Sequence, residues 1–451
     1  MRMEINRRRT IAVAAVSGAM LLTAACGSSS STANTASAPG VTATTVTIGS
    51  TQPLTGPAAS GYSEIAPASA AYFAWVNAHG GVYGRKIIYK ADVDFLDDQY
   101  NPTLTASQTR KLVLQTQVFA MYQALGTPTH LAVVGYLNSE HVPDLFVASG
   151  CNCWNNTSQY PETFGWQPNY TIEGKILGQY VAQNFASKKI GFFLQGPNDE
   201  FGADGLQGVM DSLQGKGLNV DTTPAYYTPT AAGAMAVGAA IAGLQAQGVQ
   251  VIVSFSIPTF TAVAEATAAG LKYPAQFVVS NVGADPPTLA GILASGALGG
   301  QKLPEALIAG TISDTYLPLL TDSTNPWVTL FQQIRQTYAP SLPWDGNVEY
   351  GMAEAYTFVQ ALKAAGQNPT RASIVAAVEN SHWTDGPGLT PYAYSSTDHN
   401  GFNGVQMVTV DATGNLTTLG PVEITDDTPS GAITTYTGTA STPPTSGIPS
   451  D

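Results

Sequence analysis

Strand-like and helix-like segments alternate along almost the whole chain, and this pattern constrains the fold more than any other feature of the sequence. Apolar stretches at 46–48, 86–94, 118–122 and 144–149 read as strands, separated by segments with helical spacing such as Ile65, Tyr72, Phe73 and Val76. Gly80 and Gly81 stop that first helix. A second series follows from about Gln167, with strands expected at 189–195, 225–227, 249–255 and 276–280 and helices at 205–213 and 231–244. Regular alternation of this kind is the signature of βαβ units and a mostly parallel sheet. The fold class is therefore α/β, and two similar series in some 400 residues exceed one typical core and read as two Rossmann-like lobes. Beyond residues 306–312, helices are expected near 327–338, 349–365 and 371–379, then a hairpin of 405–410 and 416–421 turning at Asp411, Ala412, Thr413 and Gly414.

The first residues set the compartment. Arg7, Arg8 and Arg9 precede a short apolar run from Ile11 to Leu22, broken by Ser17 and Gly18. A bilayer core of ~30 Å needs about 20 apolar residues, so this run reads as a signal peptide, residues 1–25. Thr23, Ala24 and Ala25 lead to Cys26, which Ser and Gly follow. That arrangement resembles a bacterial lipobox, although Thr23 stands where a large aliphatic residue is usual. The resemblance implies lipidation of Cys26 and a membrane anchor on the outer face of the cytoplasmic membrane. Ordinary secretory cleavage, with Cys26 incidental, is the competing reading, and the paired arginines leave a twin-arginine route open. Residues 26–43 are small and polar and read as a flexible stalk, and 426–451, rich in Thr, Ser, Pro and Gly, as a disordered tail.

Charge excludes one class of partner. The chain carries −13, and removing residues 1–25 takes away four basic groups and one acid, leaving −16. Without Lys/Arg clusters such a surface cannot neutralise phosphates, so nucleic acid is not a partner. Cys151 and Cys153 are the cysteines left once Cys26 is assigned to the anchor; a pair this close closes a tight disulfide or serves packing, and lacks the further ligands of a structural zinc site. No enzyme motif is present: there is no G-x-S-x-G, H-E-x-x-H, Walker loop or G-x-G-x-x-G after a strand. His79, His130, His141, His382 and His399 are scattered, so neither catalysis nor a cofactor is expected, with His130 the one histidine near the expected site.

Four ordered stretches resemble a known family. Thr47-Ile48-Gly49 before Pro53-Leu54-Thr55-Gly56-Pro57 is similar to its opening strand and loop, and Trp75 to Lys86, with Asn77, Gly80, Gly81, Gly84 and Arg85, to its first helix end. Asp97 to Pro102 with Thr109 to Val113, and Tyr350 to Gly366, resemble its "D-x-x-x-(D/N)-P" segment and a late helix. The family is the Leu/Ile/Val-type periplasmic substrate-binding proteins of ABC transporters. The resemblance spans residues 44–425 and implies the type I binding-protein fold with a three-strand hinge. It implies crossovers near Gln167, Ser313 and Phe402, hence lobe 1 at 44–167 plus 314–402 and lobe 2 at 168–313 plus 403–425.

The same resemblance implies the site and the role. Ligands of open α/β lobes bind beyond the carboxyl ends of the strands. The loop Gly126-Thr127-Pro128-Thr129 aligns with the family's carboxylate-holding loop, although Thr is also a common helix cap. Ser149, Cys151 and Asn152 align with a segment whose backbone meets the ligand, with the cysteines and Trp154 replacing smaller residues. Phe201 stands where relatives carry a stacking Tyr, and Tyr62, Ser256 and Ile257 are further candidates. Asn281 occupies the place of the acid that holds an α-ammonium, and Asp285 is near enough in sequence to take its role. The expectation is thus a monomeric, lipid-anchored binder that closes on an amino acid, amide or small organic or aromatic acid and passes it to ABC permease subunits. The alternative is a sensory module that signals to a membrane receptor, since one fold serves both.

Overall fold

The computed structural model describes residues 33–295 and 304–450; the signal segment and Cys26 lie outside the described residues. The amino-terminal half places seven short strands: β1 (Thr45–Thr47), β2 (Ser50–Gln52), β3 (Lys86–Ile88), β4 (Phe95–Asp97), β5 (Met121–Tyr122), β6 (Asp144–Val147) and β7 (Thr163–Gly165). They pair in parallel as β1 with β3, β2 with β4, and β5-β6-β7, and a parallel bridge from Gly49 to Met121 links the groups. The single strand expected at 86–94 is therefore two, running in the same direction beside β1 and β2, because a tight turn at 90–95, with Asp92 at φ +60°, interrupts the chain between them.

The second group is one eight-stranded sheet. It comprises β8 (Ile190–Gln195), β9 (Ala225–Tyr227), β10 (Val251–Phe255), β11 (Gln276–Val279), β12 (Ile312–Thr315), β13 (Gly404–Val410), β14 (Leu416–Ile424) and β15 (Thr434–Thr435), in the order β15-β14-β13-β12-β11-β10-β8-β9. Strands β8 and β10 are buried at every position, as expected of parallel strands covered by helices on both faces. From β12 onward pairing turns antiparallel, which the hairpin of β13 and β14 requires.

The late helices return to the first group. Pro326–Tyr338 and Gly346–Ala364 pack against Ile65–Ala78, with Phe73 edge-on to Phe358 at 5.8 Å and Tyr72 to Tyr356 at 6.2 Å. The chain thus passes between the two sheet groups after β7, after β12 and before β13.

Two expectations of disorder are corrected. Residues 34–43 are docked: the Asn34 side chain donates to the Ala43 and Tyr83 carbonyls, Ser37 donates to the Pro369 carbonyl, and Val41 is buried. The tail is ordered as well, adding β15 to the sheet edge and receiving hydrogen bonds at the Ser441, Ser446 and Gly447 carbonyls from Trp327, Trp75 and Tyr72. Composition counts only what a segment buries of itself; here the order comes from hydrogen bonds to the body, donated by the side chains of Asn34 and Ser37 in the first segment and accepted by backbone carbonyls in the tail.

Candidate functional site

A cleft opens between the two sheet groups, with about 970 Å³ of empty space counting its mouth. Its walls are the segments that leave the carboxyl ends of the strands: Leu125 and Gly126 after β5, Ala148 after β6, Ile257 after β10, Asn281 to Asp285 after β11, and Thr315 to Leu317 at the end of β12. The helix Gly346–Ala364 adds Asn347, Glu349 and Tyr350. Four hydrogen bonds close the cleft from both sides: Tyr62 Oη to the Val282 carbonyl (2.9 Å), Gly346 N to Asp285 Oδ1 (2.9 Å), Asn347 Nδ2 to Thr288 Oγ1 (3.0 Å) and Thr259 Oγ1 to the Pro57 carbonyl (2.9 Å).

Of the residues expected from sequence, Tyr62, Gly126, Phe201, Ile257 and Asn281 line the cleft. Gly126 has φ +104°, and a Cβ there would lie 2.5 Å from the Tyr100 ring, so this wall position requires glycine. The other six are not on the cleft wall, and apart from the unpartnered Asn152 Oδ1 their side-chain polar atoms are engaged within the protein. Thr127 and Ser149 bond each other's hydroxyls at 2.7 Å, and Thr129 donates to the Leu125 carbonyl at 2.6 Å; neither threonine caps the helix Thr127–Leu131, whose N-cap is Gly126. Cys151 is joined to Cys153 in a disulfide. Asn152 uses its N–H on Asp204 and its amide on Thr171, while Ser256 lies between the hydroxyls of Ser254 and Thr261. His130 is buried against Asp144 at 2.7 Å and does not reach the cleft.

The electrostatics are set by residues that the motifs do not single out. Asn281 bridges two acids, donating its Nδ2 to Glu173 Oε1 (3.0 Å) and Asp314 Oδ2 (2.9 Å) and its backbone N–H to Glu173 Oε1 at 2.8 Å. Burial and the facing Asp314 carboxylate hold Glu173 well above the usual carboxylate range, so it keeps its proton. Burial pushes Asp314 up to about 6, opposed by its hydrogen bonds from Glu173 and Asn281. Asp285, whose orientation the sequence leaves open, does face the cleft. It caps the helix Pro286–Ala294, and burial together with nearby Asp345 pushes it up to about 6. Glu349 is buried and pushed up by that burial and by Asp285. Tyr100, Tyr170, Tyr316 and Tyr350 complete the wall. The available signal was charge inside apolar runs: Asp314 interrupts a strand, and Glu349 sits in a helix buried almost throughout.

Two α/β sheet groups that exchange chain three times and enclose a cleft at their strand ends define a two-lobed small-molecule-binding protein. The sequence profile of the periplasmic binding protein family matches residues 45–415, and the chain belongs to that family. No curated protein sequence matches it. Among solved structures, a possible leucine/isoleucine/valine-binding protein from Rhodopirellula baltica SH 1 is similar at TM-score 0.72 and 20% identity, covering 86% of this chain and 98% of its own. A fatty acid ABC transporter substrate-binding protein from Thermomonospora curvata gives 0.70 and 20%, covering 85% and 94%. A branched-chain amino acid ABC transporter protein from Thermus thermophilus with bound valine gives 0.67 and 18%, covering 84% and 96%. These likenesses establish the type I binding-protein fold.

Proposed function

We propose that this chain is an extracytoplasmic solute-binding lipoprotein, anchored through Cys26, that closes on a small polar or amphipathic molecule and presents it to the permease of an ABC importer. The observation that carries this reading is the cleft itself, walled by both sheet groups and crossed by the Tyr62, Asp285, Asn347 and Thr259 hydrogen bonds. Bonds of this kind form only when the two halves approach, so a ligand filling the space shifts the population toward closure. The lobes are assigned as 44–167 with 314–402 and 168–313 with 403–425. Family membership and the ABC transporter proteins among the structural relatives support the transport role, and that the family and these relatives are binding proteins supports a non-enzymatic one.

Two measurements test the proposal. Small molecules released by denaturing the purified protein, identified by mass spectrometry and added back, are expected to compact it in small-angle scattering and to raise its Tm. A saturating ligand that leaves the scattering profile unchanged would refute hinged closure. Cys26→Ser is expected to release the protein from the membrane fraction; retention of the variant would refute the lipid anchor.

A further inference from the structure

We propose that the cleft is built for an organic cation: a small amine, lacking a carboxylate, whose ammonium is held by cleft carboxylates and whose carbon skeleton lies on tyrosine rings. The inference rests on the solute-binding reading and names the ligand class of that site.

The first observation is the one-sided charge of the wall. Asp285, Asp314 and Glu349 line the cleft, and no Lys, Arg or His does among the described residues. A carboxylate ligand would meet like charge in a medium where Coulomb energies are several times those in water. The hydroxyls expected to hold such a group, on Thr127 and Thr129, are already used inside the protein.

The second observation is independent of charge. Glu349 is 3% exposed, and its Oε1 has no hydrogen-bond partner although it faces the cleft. Ser313 Oγ, 1% exposed and also on the wall, is likewise unpartnered. Buried polar atoms are normally satisfied, and leaving one bare is destabilising. An ammonium has three donors and no acceptor, which is the complement of these vacant oxygens. Among the described residues no group of three or more acids, histidines or cysteines has a metal-holding arrangement, which favours an organic cation over a metal ion. Tyr62, Tyr316 and Tyr350 supply faces that attract a cation and cover its carbons.

Binding is then coupled to protons. Asp285 acts on Glu349, Asp345 on Asp285 and Glu64 on Asp345, while Glu173 faces Asp314 and both act on Tyr316 together with Glu354; all are acids or neutral phenols. In the empty cleft burial, with Asp285 beside it, favours the protonated form of Glu349. An arriving ammonium favours the ionised form, so the amine enters as the proton leaves.

The test is calorimetric titration of the purified protein with phenethylamine, 1,5-diaminopentane, leucine and phenylacetate, at pH 7 in two buffers of different ionisation enthalpy. An amine is expected to bind with net proton release, and Glu349→Gln to weaken it by about tenfold or more and to reduce the proton count. Asp314→Asn is expected to do the same, while Glu265→Gln, a buried carboxyl away from the cleft, leaves affinity unchanged. Binding of leucine or phenylacetate with no response to either amine would overturn the cation assignment and leave solute binding standing. Silence from all four probes, in protein that also releases no small molecule on denaturation, would overturn both. Amine binding that Glu349→Gln leaves intact would overturn the assignment of the ammonium to this wall.

Discussion

Glu265 sits on the helix Pro258–Gly270 with Oε1 accepting from Thr311 Oγ1 at 2.7 Å and Oε2 unpartnered. Burial pushes it up to about 8, against about 4.3 in an unfolded chain. Between those values the folded protein binds more protons than the unfolded one, so this residue's contribution to stability declines as pH rises through the window and levels off above it. Glu265→Gln keeps the bond from Thr311 and removes the ionisation. Urea unfolding is expected to show the variant more stable than the parent by about 3 kcal/mol at pH 8, and by much less at pH 5. An equal difference at both pH values would mean that the carboxyl is not held protonated. Residue-scale reading of the sequence found Asn281 because a motif position drew attention to it. It passed over Glu173, which lies 108 positions away and meets Asn281 through tertiary packing alone. Thr127 and Thr129 are the converse: the sequence shows hydroxyls in the right loop, not that they are already spent on internal bonds.

At the scale of elements, packing of the helices Tyr170–Asn184 and Glu200–Leu213 depends on glycine at the contact. A Cβ on Gly208 would lie 2.3 Å from the Thr171 carbonyl oxygen, so backbone meets backbone there. Gly208→Ala is expected to cost about 1–3 kcal/mol through overpacking. Gly238, on the helix Ala231–Ala246, has no atom within 4 Å of its Cβ position, and Gly238→Ala is expected to stabilise by about 0.5–1 kcal/mol. Chemical denaturation of the pair checks both signs, and equal effects would mean that the contact is looser than described. The disulfide follows a similar logic of local constraint. Closing a loop this short restricts the unfolded chain little, so Cys151→Ala with Cys153→Ala is expected to lose only about 1–2 kcal/mol. A larger loss would show that the bridge also holds Asn152 against Asp204. Most elements were legible because periodicity is a local property. Strand pairing in the 86–97 region was not, since a turn at a non-glycine residue leaves no compositional mark.

For the whole molecule, the segment after Thr425 acts as a strap that runs from the second sheet to the helices of the first group. It begins beside Lys175, which is 2% exposed and donates from Nζ to the Asp426 and Thr428 carbonyls at 2.8 and 2.7 Å. It then adds β15 to the sheet edge, and it ends with Tyr72 Oη donating to the Gly447 carbonyl at 2.8 Å and Lys363 Nζ to that of Pro449 at 2.6 Å. A buried ammonium stripped of its acceptors destabilises by roughly 3–5 kcal/mol, so truncation after Thr425 is expected to lower Tm by several degrees or more. Lys175→Met in the truncated chain removes the charge and keeps much of the volume, and it is expected to recover part of that loss. The two variants separate a structural strap from a passive tail. A truncated protein melting with the full chain would mean that the carbonyls contribute nothing. A loss that Lys175→Met fails to relieve would instead place the strap's contribution at Tyr72, Trp75 and Trp327, where it meets the first group of helices.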